Sequence, residues 1–183
     1  MFEKVSKEEW EKSVKKFEEK YNIEINEEEK EIVKEPKRST IGSAGYDFIM
    51  PFSFTVNQNK EYLVPTGYKW NPENTITITQ GKISPTYDFK IKSIVLMLYP
   101  RSSLGFKYGF QLLNTTGVID MDYYNNINNE GHIFVGFKTK QDVEFKRGDK
   151  FCQGVIIPYG FDEKEYNNLE KLEERKGGMG STD

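Results

Sequence analysis

The chain of 183 residues contains a single cysteine, Cys152, and a single histidine, His132. One thiol cannot form an internal disulfide and is typical of a reducing compartment, so we expect a cytoplasmic location, or the host cytoplasm if the protein is viral. Zinc sites are usually built from several histidine and cysteine ligands, which this chain cannot supply. Any metal is therefore expected to be an oxygen-bound ion such as Mg²⁺.

The sequence also lacks long apolar runs and an excess of positive charge. No stretch approaches the roughly 20 apolar residues that span a bilayer, and Met1–Val5 is followed by charged residues instead of a secretory core. The 29 Asp and Glu residues outnumber the 26 Lys and Arg residues, giving a formal net charge of −3. We therefore expect no membrane anchor and no general nucleic-acid binding, which needs clustered cations.

The length fits one domain with a sizeable core, preceded by an N-terminal extension over residues 1–35. In that extension Ser6 and Glu9 form a capping box, which predicts a helix from Lys7 to Tyr21. One face of this helix carries apolar residues at helical spacing, namely Trp10, Val14, Phe17 and Tyr21. We expect this face to pack on the body of the protein, with binding of a protein partner as the alternative.

Residues 36–162 have the pattern of an all-β domain. Short alternating segments separated by Asn, Gly and Pro predict an antiparallel barrel or sandwich. The unbroken apolar run Ile94–Tyr99 predicts a strand that is buried on both faces, and an inserted hairpin is expected within Thr75–Lys92. A further strand is expected from His132 to Lys138, with His132 at its edge and a longer loop over residues 124–131 before it.

The stretch Asn114–Tyr123 carries the strongest chemical pattern. Apolar residues flank the turn Thr115–Gly117, which predicts a hairpin with a polar tip. Asp120 and Asp122 follow at positions i and i+2, so on an extended backbone both would point to the same face. In a partly dry pocket Asp120 could hold a water molecule as a general base, whereas the alternative is a pair of solvated aspartates.

This stretch resembles the third motif of the trimeric dUTP diphosphatases (dUTPases), N-x-x-G-x-I-D-x-D-Y. Four further stretches resemble the other motifs of that family, in the family's order. Ala44–Asp47 is similar to A-G-Y-D and Pro100–Leu104 to P-R-S-x-L. Lys150–Gln153 is similar to R-I-A-Q, and the glycine-rich end from Arg175 to Asp183 is similar to the phosphate-wrapping fifth motif. The resemblance covers roughly residues 36 to 183, and residues 163–183 are expected to form a flexible C-terminal arm.

The resemblance implies a jelly-roll-like β fold and a homotrimer with active sites shared between subunits. It also implies hydrolysis of dUTP to dUMP and pyrophosphate, in which Asp120 activates water for attack on the α-phosphorus. Asn114 and Gly117 would bind uracil, Ile119 would also contact the substrate, and Tyr123 would lie against the deoxyribose. Mg²⁺ would hold the triphosphate without a direct protein ligand, with Asp47 and Gln153 acting through water. The phosphate contacts would come from Arg101, Ser102, Ser103, Gln153, Arg175, Lys176, Gly178, Gly180, Ser181 and Thr182, and Met179 would lie over the uracil.

The chain departs from the family pattern at several positions. Met179 replaces the aromatic residue that covers the uracil, and a flexible thioether is a weaker platform. Lys150 replaces an arginine, so the charge is kept and the forked geometry is lost. Ser103 stands where many relatives have glycine, and Arg175 lies one position nearer to Met179 than usual.

Two other functions remain open from the sequence. One is a dCTP deaminase of the same fold, which also has an R-S-S-L segment but lacks I-D-x-D-Y. The other is a dUTP-gated regulatory protein that uses its helical extension for an interaction.

Overall fold

The computed structural model describes residues 1–75, 77–79, 82–84, 94–160 and 164. Two α-helices are present in this part of the chain, α1 (Lys7–Tyr21) and α2 (Ser102–Tyr108). Short 3-10 helices span Glu27–Glu29, Pro72–Asn74 and Met121–Tyr123. The strands are β1 (Phe2–Lys4), β2 (Tyr46–Ile49), β3 (Phe54–Val56), β4 (Tyr62–Pro65), β5 (Tyr68–Trp70), β6 (Thr77–Thr79), β7 (Lys82–Ser84), β8 (Ile94–Pro100), β9 (Gln111–Leu112), β10 (Gly117–Ile119), β11 (Phe134–Lys138), β12 (Val143–Phe145) and β13 (Lys150–Pro158).

The strands form antiparallel sheets, so the predicted all-β class is confirmed. A four-stranded sheet has the order β10-β8-β13-β2, and a three-stranded sheet has the order β4-β11-β9. Two-stranded pairs join β1 to β5, β12 to β3, and β6 to β7. Strands β6 and β7 pair with each other inside the predicted insertion, while residues 76, 80–81 and 85–92 of that insertion lie outside the described residues.

Helix α1 has the bounds that the sequence predicts. The Ser6 hydroxyl accepts a hydrogen bond from Glu9 N at 3.1 Å, which caps the first turn, and Asn22 ends the helix in the left-handed conformation. Phe17 lies 4.8 Å from Phe52 between ring centroids, and Tyr21 lies 4.9 Å from Tyr62. The apolar face is thus buried in the same core as the strands, and it is not available to a partner protein.

Two predictions about strands are wrong. Ile94, Leu96 and Leu98 are buried, but in the single chain the alternate residues of β8 are only half-buried, because one face of this sheet contacts the chain's own core. Strand β11 begins at Phe134, and His132 lies before it with no exposed surface at all. His132 is covered by α1, whose position relative to this segment could not be deduced from local sequence.

In the part of the chain that the structure describes, no helix is long and apolar enough to cross a membrane.

Candidate active site

The segment from β9 to β10 crosses between the two larger sheets. Strand β9 pairs with β11, whereas β10 pairs with β8, so these two strands do not pair with each other. The predicted hairpin is therefore wrong in its pairing, because longer strands on either side supply the backbone partners. The Thr116 hydroxyl donates to Leu98 O at 2.8 Å and fixes the turn on β8, while Thr115 adopts a positive φ of 62°.

A cavity of about 210 Å³ lies at this crossing. Gly117 allows the close approach of its strand to β8, because a Cβ atom there would meet Leu98 side-chain atoms at 3.0 Å. Most of the lining side chains are apolar, but polar groups make up about half of the exposed wall. The lining residues include four that the sequence predicts to bind substrate, and they are Leu98, Leu112, Asn114, Gly117, Val118, Ile119, Tyr123, Phe134, Val135 and Gly136.

Tyr123 forms a buried wall of this cavity, and its side chain is 3% exposed. Its hydroxyl donates to His132 O at 3.0 Å and accepts from Asn129 Nδ2 at 2.7 Å. Neither partner was predicted, because no local pattern in the sequence marks Asn129 or His132 as a neighbour of the pocket.

Asp120 directly follows β10, at the start of the 3-10 helix Met121–Tyr123. The prediction that Asp120 and Asp122 share one face of an extended backbone is wrong, because the chain turns into this helix between them. Asp120 is exposed in the single chain, so any water-excluding environment for its carboxylate would have to come from additional protein surface.

A second cluster lies where β2, β13 and β8 meet. Gln153 of β13 is opposite Asp47 on one side and Tyr99 on the other. Arg101 Nη1 lies 3.2 Å from Asp47 Oδ1, and Lys150 Nζ lies 2.8 Å from Asp47 Oδ2. The structure therefore brings together residues from three of the sequence motifs. The two cations, Arg101 and Lys150, lie on either side of the Asp47 carboxylate.

Asp47 is held as an anion at the centre of this cluster. Burial works to raise its pKa, but Lys150, Ser39 and Arg101 together hold the pKa below its usual value. The Ser39 hydroxyl donates to Asp47 Oδ2 at 2.6 Å, a contact that the sequence did not reveal. Because two cations face one carboxylate, the cluster retains positive charge for an anionic ligand.

Gln153 and Gly45 pack closely in the same cluster. Gln153 Nε2 donates to Pro100 O at 3.3 Å. A Cβ atom on Gly45 would lie only 2.7 Å from Gln153 Oε1, so glycine is needed for this side chain to keep its position. Ser102 and Ser103 follow Arg101 and are exposed in the first turn of α2.

The oxygen atoms of Asp47 and Gln153 are suited to a hard cation such as Mg²⁺. They are better placed to bind its water ligands than to coordinate the ion directly. Both oxygens of Asp47 already contact hydroxyl or cationic groups, and the remaining oxygen donor is the Gln153 amide. Across the described ranges, no group of three or more His, Cys, Asp or Glu residues is arranged to hold a metal ion.

Asp120, the candidate general base, and the second cluster, in which Arg101 and Lys150 surround Asp47, lie at opposite ends of one sheet. Ile119 pairs with Leu96, so Asp120 follows in register near Val95, whereas Arg101 lies just beyond the other end of β8. The six residues from Val95 to Arg101 correspond to roughly 20 Å at about 3.3 Å per residue. The predicted tail residues Arg175, Lys176, Gly178, Met179, Gly180, Ser181 and Thr182 lie outside the described residues.

An antiparallel β fold with a small pocket and a separate cluster of two cations around one carboxylate is the arrangement expected of a protein that binds a phosphorylated small molecule. Comparison with known proteins identifies the family. The dUTPase family model matches residues 74–183, which is more than half of the chain. The chain is 38% identical over 149 residues to the deoxyuridine 5'-triphosphate nucleotidohydrolase of Lactococcus lactis, covering 80% of this chain and 86% of that protein.

Other relatives agree with this match. The corresponding protein of Finegoldia magna is 31% identical over 150 residues, covering 80% of this chain and 90% of the relative. The crystal structure of dUTPase from Streptococcus mutans superposes with a TM-score of 0.58 and 32% identity, covering 88% of this chain and 98% of that one. The dUTPase from phage phi11 of S. aureus, at 16% identity and a TM-score of 0.51, shares the fold.

The chain therefore belongs to the dUTPase family and has its jelly-roll-like β fold. It is an enzyme of this family, and the curated relatives that it matches are named deoxyuridine 5'-triphosphate nucleotidohydrolases.

Proposed function

We propose that the chain hydrolyses dUTP to dUMP and pyrophosphate, with Asp120 as the general base for water that attacks the α-phosphorus. The observation that carries this proposal is the pocket lined by Asn114, Gly117, Ile119 and Tyr123, with a carboxylate directly after its strand β10. A positioned carboxylate contributes about two to four orders of magnitude to a proton-transfer step.

The pocket residues account for recognition of the base and sugar. Asn114 and the backbone groups near Gly117 and Ile119 bind the uracil edge, and a cytosine amino group would face unsuitable donors and acceptors. Unpaired buried polar groups are costly, which makes such a pocket selective. The ring of Tyr123 lies against the deoxyribose, where a 2'-hydroxyl would be crowded.

The second cluster accounts for binding of the triphosphate. Arg101 provides forked hydrogen bonds to phosphate oxygens, and Lys150 adds charge. Ser102, Ser103 and Gln153 supply further polar contacts, and the glycine-rich tail with Met179 completes the site. Bound Mg²⁺ would neutralise charge on the phosphates, with Asp47 and Gln153 orienting its water ligands.

The separation between these two clusters supports a site shared between subunits of a homotrimer. Asp120 would have to hold a water molecule against the α-phosphorus while Arg101 contacts a phosphate group of the same triphosphate. The roughly 20 Å between the two ends of β8 favours the supply of these two groups by different chains. The outer face of the sheet is also apolar, since Val118 of β10, Met97 of β8 and Val155 of β13 lie side by side. Val118 is 53% exposed in the single chain, and a neighbouring subunit would cover it.

Pyrophosphate release from dUTP, dCTP, dTTP and UTP, measured side by side, tests this function. We expect kcat/KM for dUTP to exceed the others by at least about a hundredfold, because the base and the sugar are both recognised in one pocket. Comparable rates with dTTP or UTP would contradict the assignment of the pocket. Ammonia release from dCTP would instead establish the deaminase alternative, and tight dUTP binding without turnover would establish the regulatory one.

A further inference from the structure

The loop over residues 124–131 is a compact hydrogen-bonded unit next to the pocket. Two backbone hydrogen bonds join its ends. Asn125 N donates to Glu130 O at 3.1 Å, and Glu130 N donates to Asn126 O at 2.7 Å. Asn126 is 7% exposed, although it is polar and lies in a loop. Gly131 has φ of +78°, and a Cβ atom there would lie 2.4 Å from Tyr123 O, so the loop packs directly on the Tyr123 backbone.

Asn129 connects this loop to the Tyr123 hydroxyl. Its Nδ2 donates to Tyr123 Oη at 2.7 Å, while its Oδ1 accepts from Gly131 N at 3.2 Å. The same hydroxyl donates to His132 O at 3.0 Å. One donated and one accepted hydrogen bond hold the far end of the ring, so the ring has little freedom to move away from the cavity that it lines.

His132, whose carbonyl oxygen accepts the hydrogen bond from Tyr123, is itself held in place through its side chain. His132 Nε2 accepts from Gly67 N at 2.9 Å, and Nδ1 lies 3.1 Å from Glu9 Oε1 of α1. The loop also contacts the start of α1, since Glu130 Oε2 accepts from Ser6 N at 3.0 Å. The anchor of Tyr123 is thus tied to the N-terminal helix at two points.

We propose that the loop over residues 124–131, through Asn129 and the His132 carbonyl group, fixes Tyr123 and so sets the preference of the enzyme for deoxyribose over ribose. This inference rests on the proposed function, because it assumes that the Tyr123 ring faces the sugar. A ring that shifts by a fraction of an ångström would admit a 2'-hydroxyl, whereas a fixed ring excludes it. Asn129 is a positioning residue in this account, since it acts on the sugar only through Tyr123.

The test compares kcat/KM for dUTP and for UTP in variants of the full-length protein. Tyr123→Phe deletes only the hydroxyl, and Asn129→Ala deletes its amide partner. We expect each to lower the dUTP-to-UTP ratio about three- to tenfold, the range expected for loss of a neutral hydrogen bond. Asn128→Ala is the matched control, because Asn128 is exposed in the same loop and, within the described residues, hydrogen-bonds through its backbone N–H to Asn126 Oδ1.

The double variant separates positioning from general damage to the loop. If Asn129 acts through the Tyr123 hydroxyl, Asn129→Ala should lower the ratio no further in the Tyr123→Phe background. A wild-type ratio in either single variant, or a full additional drop in the double variant, would overturn the proposal. Should Asn129→Ala fail to fold, Tyr123→Phe alone decides. Absence of dUTP preference in the unmodified enzyme would instead contradict the proposed function.

Discussion

Asp120 carries the chemistry in this account, and its side chain can be altered without a change of shape. Asp120→Asn retains size and hydrogen bonding but removes the proton acceptor. We expect kcat for dUTP to fall by about two to four orders of magnitude, with binding of dUMP nearly unchanged. Glu144→Gln is a suitable control, since it removes one carboxylate from an exposed position of β12. Normal turnover by Asp120→Asn would mean that another group activates the water molecule.

A substitution at Gly45 tests the second cluster, which is proposed to bind the phosphates, and leaves every charged group in place. In Gly45→Ala the new methyl group would lie 2.7 Å from Gln153 Oε1, so the flexible amide must move away from Pro100. We expect affinity for a non-hydrolysable dUTP analogue to weaken about three- to tenfold, through one lost polar contact.

Gly42→Ala is the matched control for this change. Gly42 lies three residues earlier in the same segment, and a Cβ atom there would meet nothing within 4 Å. Equal affinity in the Gly45 and Gly42 variants would show that Gln153 does not contribute to binding of the phosphates.

Single residues were predictable from the sequence where a local string carries the information. The motif around Asn114 to Tyr123 and the grouping of Asp47, Arg101 and Gln153 are of this kind, whereas the roles of these residues in binding and catalysis stay predictions. Asn129 and His132 were not predictable as neighbours of the pocket. The contact of His132 with Glu9 spans 123 residues in sequence, and such a contact depends on tertiary packing that no short pattern encodes.

Among the elements, helix α1 was predictable to its end residues because capping and apolar spacing are local properties. The pairing of β9 and β10 was not, because the hydrogen-bond partners of a strand depend on which other strands lie beside it. The 3-10 helix Met121–Tyr123 was missed for a related reason. Two aspartates at i and i+2 look the same in sequence whether the backbone is extended or turned.

The contact between α1 and His132 predicts a dependence of stability on pH. Burial lowers the pKa of His132 below its ordinary value of 6.5, and Glu9 and Glu130 oppose this only partly. Gly67 N donates to Nε2, so His132 is neutral with its proton on Nδ1, facing Glu9 and Ser13. Below pH 6.5 the unfolded chain binds the proton more readily, so the free energy of unfolding should decrease as pH falls.

Urea unfolding at pH ~7.5 and ~5.5 measures this effect. His132→Gln keeps a polar side chain without the titration, and its loss of stability across that interval should be smaller than in the unmodified protein. Equal losses in the two proteins would show that other groups, and not His132, dominate in this range.

At the scale of the whole molecule, the fold class was predictable from the spacing of the strands. The distance between Asp120, next to the pocket, and Arg101, in the second cluster, was not predictable. That distance depends on the register of β10 against β8, which places Asp120 and Arg101 at opposite ends of the sheet. If the proposed roles of Asp120 and Arg101 hold, a single chain would contribute the general base to one site and the phosphate-binding cations to another. Oligomeric assembly would then be required for catalysis and would do more than add stability.

Subunit complementation tests this central claim most directly. Asp120→Asn and Arg101→Ala homotrimers should each be nearly inactive towards dUTP, because water activation and charge stabilisation are both needed in the transition state. An equal mixture, denatured and refolded together, should regain about a quarter of unmodified activity, since each site draws its base and its guanidinium independently from the two variants. The same mixture without subunit exchange should stay inactive. If refolded trimers are shown to be mixed yet remain inactive, base and guanidinium belong to one chain and the shared site is contradicted.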